Sequence, residues 1–352
     1  MFLGVNAATM DPARGGLENV FLRNVLRHIH GLQRQTQFVV FTHAANHAAF
    51  QEWERVCVAD EPARGREAPD VSPRRLTAAI AESGVEALFS PLDPRFVKMP
   101  VPMVFFVMDL SAYEGTLAQG GWGTGARLKA AKRVCQEAAA FVAPSQYIQD
   151  TLLEVLEVPL NKVVVAPLGV EPVFGEPQPG IVQEPYLLCV GDTDESLNLP
   201  RLRTALERLR DEIPEHSLVV VGSPGNAEPE SWGQSVVRVE ECAPAHLAAL
   251  CQHCDLFVLP SLYAGSGVAV LQAMRAGAQV LASRVGGIPE VAGDVPIYFN
   301  PESVGSLMTA IRRGLQKDEA QRDQRIQHGR QVASEYTWEN CALKTLSAFK
   351  RA

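Results

Sequence analysis

The sequence predicts an α/β protein with two doubly wound domains, each a parallel sheet covered by helices. Three observations lead to this prediction. The chain has 352 residues, more than a single hydrophobic core usually serves. Its apolar segments are short and continuous rather than alternating, as in strands that are buried on both faces. Helical stretches separate these segments throughout, which is typical of doubly wound sheets.

The strands and helices alternate in the same way in both halves of the chain. Runs of four to six apolar residues are interpreted as strands, and stretches with apolar residues three and four apart as helices. The predicted strands are 38–41, 103–108, 163–166, 186–190, 218–221, 256–259 and 279–282. The predicted helices are 17–30, 128–140, 146–156, 201–212, 245–251 and 268–276.

A segment rich in proline and glycine separates the two series of strands and helices. Residues 171–185 hold four prolines and two glycines and show no apolar period. We therefore predict an N-terminal domain of residues 1–170, a linker of 171–185 and a C-terminal domain of 186–337. Open α/β sheets bind ligands at the carboxyl ends of their strands, so a cleft between the two domains is the predicted site.

Composition and charge argue against several classes of protein. The net charge is −8 and neither half is basic, so a nucleic-acid polymer is not an expected partner. The N-terminus lacks the charged start and long apolar core of a signal peptide, and no apolar stretch approaches the roughly 20 residues that span a bilayer. Seven scattered cysteines fit a reducing compartment. These features predict a cytoplasmic protein.

A metal site is not indicated by the histidines and cysteines. Cys251 and Cys254 form a CxxC pair, but no second pair stands at a spacing that would complete four zinc ligands. The eight histidines form no HExxH-type pair. We expect two packed cysteines and no bound metal.

The segment from Leu259 to Gly277 carries the strongest functional signal. A strand ends near Pro260, a loop with two glycines follows, and a helix runs over 268–276. A loop that opens a helix presents unpaired backbone amides and the positive end of the helix dipole, which suits a diphosphate. Glycines that only shape a tight strand–helix turn are an equally weighted alternative.

The same segment resembles the donor-site signature of the retaining GT-B glycosyltransferases of family four, the group 1 transferases. Members typically read Pro-Ser-x-x-Glu-Gly-Phe-Gly-x-x-x-x-Glu-Ala-Met-Ala-x-Gly. This sequence has Pro260, Ser261, Gly265, Gly267, Ala273, Met274 and Gly277 in step. The resemblance extends over nearly the whole chain, including 282–294 and the C-terminal 336–338. It implies the GT-B fold, with helix 338–352 packing back onto the N-terminal domain.

The charged positions of the family pattern differ in this chain. The two signature glutamates fall on Ala264 and Gln272, and the phosphate-binding arginine and lysine fall on Asp192 and Leu197. The histidine before Asp109 falls on Met108. Losing one stabiliser of developing charge typically costs about 10²–10³ in rate. If these replacements silence the site, the combined change Asp192→Arg, Leu197→Lys, Ala264→Glu and Gln272→Glu is expected to raise activity.

The resemblance implies a metal-independent retaining transferase that moves a sugar from a nucleotide-sugar donor to a glycan or lipid-linked acceptor in surface polysaccharide synthesis. No cofactor is expected. The implied donor contacts are Gly265, Ser266, Gly267, Val268 and Gln272, with Arg201 as a replacement cation. The implied acceptor-side residues are Gly15, Gly16 and Asp109.

Two further interpretations stay open from the sequence. The protein is alternatively a catalytically silenced relative that acts as a binding or scaffold subunit for a protein partner. The basic run from Arg127 to Arg133 predicts a peripheral contact with the inner face of a membrane, because basic residues near a leaflet contribute roughly 1 kcal/mol each. A solvated helix face is the competing interpretation of that run.

Overall fold

The chain folds into two compact units, each with its own parallel sheet. Unit 1 comprises Met1–Pro167 and Trp338–Ala352, and unit 2 comprises Leu168–Thr337. The computed structural model describes residues 1–10, 16–59, 71–95, 99–113, 124–183, 185–191, 195–222, 236–240, 242–316 and 318–351.

Unit 1 contains a seven-stranded parallel sheet in which nearly every apolar side chain is buried, as the continuous apolar runs predict. The strands are β1 (Phe2–Asn6), β2 (Gln37–His43), β3 (Glu54–Ala59), β4 (Ala87–Pro91), β5 (Met103–Phe106), β6 (Ala140–Ala143) and β7 (Val163–Val165). The helices are α1 (Leu17–Leu32), α2 (Pro73–Ser83), α3 (Thr124–Glu137) and α4 (Gln146–Leu156). The strand order is β3-β2-β1-β4-β5-β6-β7.

Unit 2 contains a six-stranded parallel sheet in the order β10-β9-β8-β11-β12-β13. Its strands are β8 (Tyr186–Val190), β9 (Ser217–Val221), β10 (Val236–Val239), β11 (Leu256–Leu259), β12 (Val280–Ser283) and β13 (Ile297–Phe299). Its helices are α5 (Leu199–Leu209), α6 (Pro244–His253), α7 (Val268–Ala276), α8 (Ile288–Ala292), α9 (Val304–Gly314) and α10 (Glu319–Ser334).

The strand order reverses next to the first strand of each sheet. In unit 1, β1 lies between β2 and β4, and in unit 2, β8 lies between β9 and β11. The connections leave such a point in opposite directions and open a crevice at the carboxyl ends of the strands, where α/β sheets bind ligands. The prediction of two doubly wound α/β units is confirmed.

The last helix, α11 (Trp338–Phe349), completes the core of unit 1 from the far end of the sequence. It packs against α1, β6 and β7. The ring of Phe349 lies 5.3 Å from the ring of Phe89, which in turn lies 6.1 Å from Phe21 of α1. Burial of these large aromatic side chains supplies much of the free energy that holds the helix in place.

The segment predicted as a linker lies within unit 2 and is fixed to α6 by side chains. Gln252 Nε2 donates to the carbonyl oxygen of Glu176 at 2.7 Å, and Gln252 Oε1 accepts from the amide of Gln178 at 2.8 Å. The His253 ring nitrogen Nε2 is 3.0 Å from the carbonyl oxygen of Gln178. Residues 176–178 therefore have their backbone hydrogen bonds satisfied by one helix rather than by solvent.

The predicted helix 128–140 is too long at its C-terminus. α3 ends at Glu137, and Ala140 begins β6. The amide of Ala139 donates to the carbonyl oxygen of Met103 at 2.9 Å, so the chain has already joined the sheet there. Alanine favours a helix by propensity, but tertiary hydrogen bonding and burial override that preference.

Candidate functional site

The loop predicted to bind a diphosphate leaves the carboxyl edge of the unit 2 sheet. β11 ends at Leu259, and α7 begins at Val268. β11 pairs with β8, so the loop starts where the strand order reverses. The first turn of α7 and the positive end of its dipole therefore lie at the edge that binds ligands in this class of sheet.

Gly267 caps α7 in a backbone conformation that favours glycine, with φ of 67°. A Cβ atom there would lie 2.7 Å from Val291 Cγ2 and 3.2 Å from Ile288 Cα. Both the left-handed backbone and this close approach to α8 exclude a side chain. Ser266 is 7% exposed, and its Oγ accepts from the amide of Val268 at 3.4 Å. The glycine thus shapes the turn and also brings it against α8.

The loop is braced on the side of α8 by the turn that follows β12. The carbonyl oxygen of Ala264 accepts from the amide of Gly287 at 2.8 Å. A Cβ atom on Gly286 would lie 2.1 Å from that same oxygen. The family glutamate position, Ala264, therefore sits where backbone segments meet closely.

The loop is braced on the opposite side by residues that follow β8. Asn198 is 6% exposed, and its Nδ2 donates to the carbonyl oxygens of Pro260 at 3.0 Å and Pro301 at 2.9 Å. The amide of Leu262 donates to the carbonyl oxygen of Ser196 at 2.7 Å. The sequence alone gave Asn198 no role, because its two acceptors lie 62 and 103 positions away.

Arg201 is part of this bracing. Its Nη1 donates to Asn198 Oδ1 at 2.9 Å and to the carbonyl oxygen of Pro301 at 3.0 Å. The sequence marked Arg201 as a replacement cation for a bound phosphate. The structure gives at least one of its guanidinium nitrogens the separate task of holding the framework.

The two positions to which the resemblance assigns phosphate-binding cations carry no cation in this chain. Asp192 lies outside the described residues. Leu197 is 3% exposed, and a Cβ atom on Gly191 would lie 2.9 Å from its Cδ1. Leu197 is thus a core side chain. Arg284 is an exposed cation that follows β12, with its Cζ 5.3 Å from the centroid of the Tyr298 ring.

Gln272 on α7 pairs with a carboxylate that sequence reasoning did not single out. Its Nε2 donates to Glu171 Oε2 at 3.4 Å. Burial raises the pKa of Glu171 above its ordinary value, and the hydrogen bond from Gln272 opposes that rise. The carboxylate that the family pattern places at 272 is absent from the helix, yet a carboxylate lies beside that position.

In unit 1, the residues predicted on the acceptor side follow β1 and β5. Gly16 caps α1, while Gly15 lies outside the described residues. Met108 is buried, and Asp109 Oδ1 accepts from the amide of Ser111 at 2.6 Å. The strand order of unit 1 reverses at β1, so Gly16 follows a strand at the reversal, whereas Asp109 follows β5, which β4 separates from β1.

Glu18 is a second carboxylate near Asp109. It stands in the first turn of α1, and its pKa is raised first by burial and then by the charge of Asp109. Glu18 was not among the residues predicted on the acceptor side. A half-buried acid beside another carboxylate cannot be predicted from spacing alone, since the two residues are 91 positions apart.

Two further predictions concern metal binding and membrane contact. The described part of the chain holds no group of three or more histidine, cysteine or acidic side chains that could bind a metal ion. Cys251 and Cys254 are buried free thiols whose pKa values burial raises. On α3, Arg127, Lys129 and Arg133 are exposed. Within the described residues, no helix is long and apolar enough to cross a membrane.

The chain matches two family models that divide it in the same order as the units. Residues 15–174 match the model described as Glycosyltransferase Family 4, and residues 184–317 match the model described as Glycosyl transferases group 1. The two matches leave all of 318–352 outside, which includes α10 and α11.

Relatives named as mannosyltransferases match parts of the chain. The chain is 37% identical over 94 residues to the O-antigen chain mannosyltransferase B of Escherichia coli, a match covering 27% of this chain and 24% of that protein. It is 25% identical over 231 residues to the MMP alpha-(1->4)-mannosyltransferase of Mycolicibacterium hassiacum, covering 63% of this chain and 56% of that protein. The matched part therefore spans less than two thirds of either relative.

A solved structure shares the fold over the full length. The structure of Anabaena Alr3699/HepE in complex with UDP-glucose superposes with a TM-score of 0.78 and 14% sequence identity, covering 100% of both chains. At that identity the likeness concerns the fold, which is the two-unit architecture described above.

Proposed function

The chain belongs to the group 1 glycosyltransferases of family 4, and from that premise we propose that it transfers a sugar from a nucleotide-sugar donor to a glycan or lipid-linked acceptor. The donor is held in unit 2 and the acceptor is bound by unit 1. The anomeric configuration of the sugar is retained, as the resemblance implies. The comparisons lend no support to a silenced scaffold subunit.

One observation carries the proposal most directly, namely the shape of the loop from Pro260 to Gly267. Gly267 combines a positive φ with a contact that excludes any Cβ atom, and Asn198 holds the loop from the other side. A rigid loop before a nine-residue helix offers preorganised amides and a dipole to a diphosphate. The donor contacts proposed there are Gly265, Ser266, Gly267, Val268 and Gln272, with Arg201 beside them.

Charge stabilisation of the leaving group is the chemical task of this site. As the bond from the anomeric carbon to the diphosphate breaks, negative charge grows on the phosphate oxygens. A new bond forms to the oxygen of an acceptor hydroxyl, whose proton passes to the departing diphosphate. Backbone amides and the α7 dipole stabilise the growing charge. Arg284 is an exposed arginine in the turn whose Gly287 amide bonds to Ala264 of this loop, and we propose that it supplies the cation that Leu197 does not.

A mannosyl donor and a polysaccharide acceptor are the finer proposal. Two relatives are named as mannosyltransferases, one of them acting in O-antigen chains. The exposed face of α3 formed by Arg127, Lys129 and Arg133 would hold the protein at an anionic leaflet that carries a lipid-linked acceptor. Lys132 contributes less, because its Nζ lies 2.6 Å from Glu157 Oε1.

Calorimetric titration with GDP-mannose and UDP-glucose tests the proposal first. We expect binding of one of them, release of the nucleoside diphosphate in the presence of acceptor, and an α-linked product from an α-linked donor by proton NMR. Absence of binding to either donor and to UDP and GDP would contradict the proposed function. Binding without turnover against any glycan acceptor would favour the silenced subunit.

The membrane contact has its own test. The protein should co-sediment with vesicles containing phosphatidylglycerol and should not with phosphatidylcholine alone. The triple change of Arg127, Lys129 and Arg133 to glutamine should abolish that difference. Equal sedimentation with both vesicle types, or no effect of the triple change, would leave α3 as a solvated helix face.

A further inference from the structure

Gln272 lies one helical turn beyond Val268 on α7, beside the next part of any ligand that is bound at the helix N-terminus. Val268 and Gln272 are four residues apart and share a face of the helix. Both are partly exposed, whereas Val270 and Leu271 between them are buried. One helical turn rises about 5.4 Å, which is close to the distance from a phosphate to the hydroxyls of the ribose that carries it. A nucleotide with its diphosphate at Val268 therefore brings its ribose to Gln272.

Glu171 reaches the same place from outside the helix. Its Oε2 accepts from Gln272 Nε2 at 3.4 Å. The residue is partly buried, and that burial raises the pKa of its carboxyl group. An ionised carboxylate has about four acceptor positions on its two oxygens. The side-chain amide of Gln272 and the backbone amide of Glu171 itself use part of that capacity and leave the rest for a ligand.

The backbone around Glu171 is fixed, so the carboxylate is preorganised. Glu171 precedes Pro172 and has the extended conformation that proline imposes on its neighbour, with φ of −64° and ψ of 139°. The 3₁₀ turn Pro172–Gly175 follows and lies against α7, since a Cβ atom on Gly175 would lie 3.0 Å from Arg275 Nε. The amide of Val170 donates to the carbonyl oxygen of Tyr336 at 3.0 Å.

We propose that Glu171 is the carboxylate that binds the vicinal hydroxyls of the donor's ribose, and that Gln272 positions it. The family pattern places the acid at position 272 on the helix. In this chain the amide stands at 272 and the acid at 171. Carboxylate oxygens accept from both hydroxyls of a diol, and loss of one hydroxyl leaves a buried acceptor unpaired, which gives discrimination. The inference rests on the proposed function, because it requires a nucleotide at α7.

Binding of ribo- and deoxyribonucleotides separates the two ideas. The probes are UDP and GDP and their 2′-deoxy forms, titrated calorimetrically into the wild type, Glu171→Gln, and the exchange variant Glu171→Gln with Gln272→Glu. Glu176→Gln is the matched control, because it makes the same charge change at an exposed position of the same segment. All four proteins are compared by circular dichroism and thermal melting first.

We expect the wild type and Glu176→Gln to bind the ribonucleotide about tenfold more tightly than its 2′-deoxy form, the factor that about 1.4 kcal/mol gives. Glu171→Gln should lose about tenfold for the ribonucleotide and should no longer distinguish the two forms. The exchange variant should recover both affinity and discrimination to within about threefold. Unchanged discrimination in Glu171→Gln would overturn the inference while leaving the proposed function in place. A wild type that binds neither nucleotide would overturn the proposed function itself.

Discussion

The side-chain amide of Asn198 donates a 3.0 Å hydrogen bond to the carbonyl oxygen of Pro260, the residue that follows β11. The loops that leave β8 and β11 are thereby joined at the carboxyl edge of the sheet. Asn198 itself has φ of 61°, a conformation that asparagine adopts more readily than most residues. Its amide also bonds to Pro301, so one buried side chain fixes three backbone segments.

Asn198→Gly should lower the free energy of unfolding by about 2–4 kcal/mol. Glycine keeps the backbone conformation, but it leaves the buried carbonyl oxygen of Pro260 without this donor, removes one of two donors to Pro301 and removes an acceptor of Arg201. Urea denaturation measures the change, and nucleotide titration should show weaker binding because the loop is no longer held. Thr204→Ala is the control, since it removes a hydroxyl that bonds to Pro200 on the exposed side of α5. Equal stability of the two variants would refute this role of Asn198.

Gly267→Ala should abolish nucleotide binding and destabilise the protein more than Gly84→Ala does. Both glycines have a left-handed backbone, with φ of 67° and 72°, so both substitutions cost about 1–2 kcal/mol of backbone strain. At Gly84 a Cβ atom meets nothing within 4 Å, whereas at Gly267 it meets Val291 at 2.7 Å. The comparison isolates the contact with α8. Retained nucleotide affinity in Gly267→Ala would show that the ligand binds elsewhere.

Leu197→Lys should destabilise the protein by about 3 kcal/mol or more rather than restore a phosphate-binding cation. Leu197 is 3% exposed, and an unpaired ammonium group in its place would be buried. Leu197→Met conserves volume and should cost under about 1.5 kcal/mol. Gln272→Glu meets a comparable obstacle, because it sets a second carboxylate beside Glu171. The structure therefore leads us to expect lower stability and no gain of activity from the combined change of Asp192, Leu197, Ala264 and Gln272 that the sequence suggested. A stable Leu197→Lys protein with tighter nucleotide binding would reverse this view.

Glu18→Gln should weaken the dependence of stability on pH. Burial and the charge of Asp109 raise the pKa of Glu18 above its ordinary value of 4.5 in the folded protein. The folded state then binds this proton more tightly than the unfolded chain, so the stability that it contributes is full below pH 4.5 and is lost as the pH rises through the folded pKa. Unfolding free energies at pH 5 and pH 8 should differ less in Glu18→Gln than in the wild type. The exposed Glu154→Gln should leave the wild-type difference intact, and the same result for Glu18→Gln would contradict the assignment.

Sugar transfer should persist in EDTA. The described residues offer no cluster of metal ligands, and the proposed site acts on phosphate through amides and the helix dipole. The measurement is the initial rate with and without a chelator that is in large excess over trace metal. A rate that falls in EDTA and recovers with Mg²⁺ or Mn²⁺ would require a metal site in the segments outside those described.

The continuous apolar runs predicted the two sheets, because strands buried on both faces have no alternating pattern. Tyr186–Val190 and Leu256–Leu259 match their strands residue for residue. β1, β3, β4, β6, β10 and β13 were not among the predicted strands. β10 lies at the edge of its sheet, and none of its four residues is buried. β13 has only three residues, which are too few to show a pattern.

The sequence predicted the backbone shape of the candidate site, but it did not predict the contacts of the side chains there. Gly267 stood out because positive φ and close approach both select glycine, and such selection is visible in a sequence. Glu171 did not, because its partner Gln272 lies 101 positions away and only tertiary structure joins them. Leu197 was interpreted as a lost cation from its place in a motif, whereas its burial shows a core residue.

The division of the chain into these two units also determines which unit can finish folding first during synthesis. Unit 2 is continuous from Leu168 to Thr337, but unit 1 needs Trp338–Phe349 to cover the aromatic rings of Phe21 and Phe89. During synthesis the N-terminal sheet must wait about 10–30 s, at 5–20 residues per second, until α11 follows it out of the ribosome. For that interval its apolar face is available to chaperones, and the second unit to be translated is the first that can finish folding.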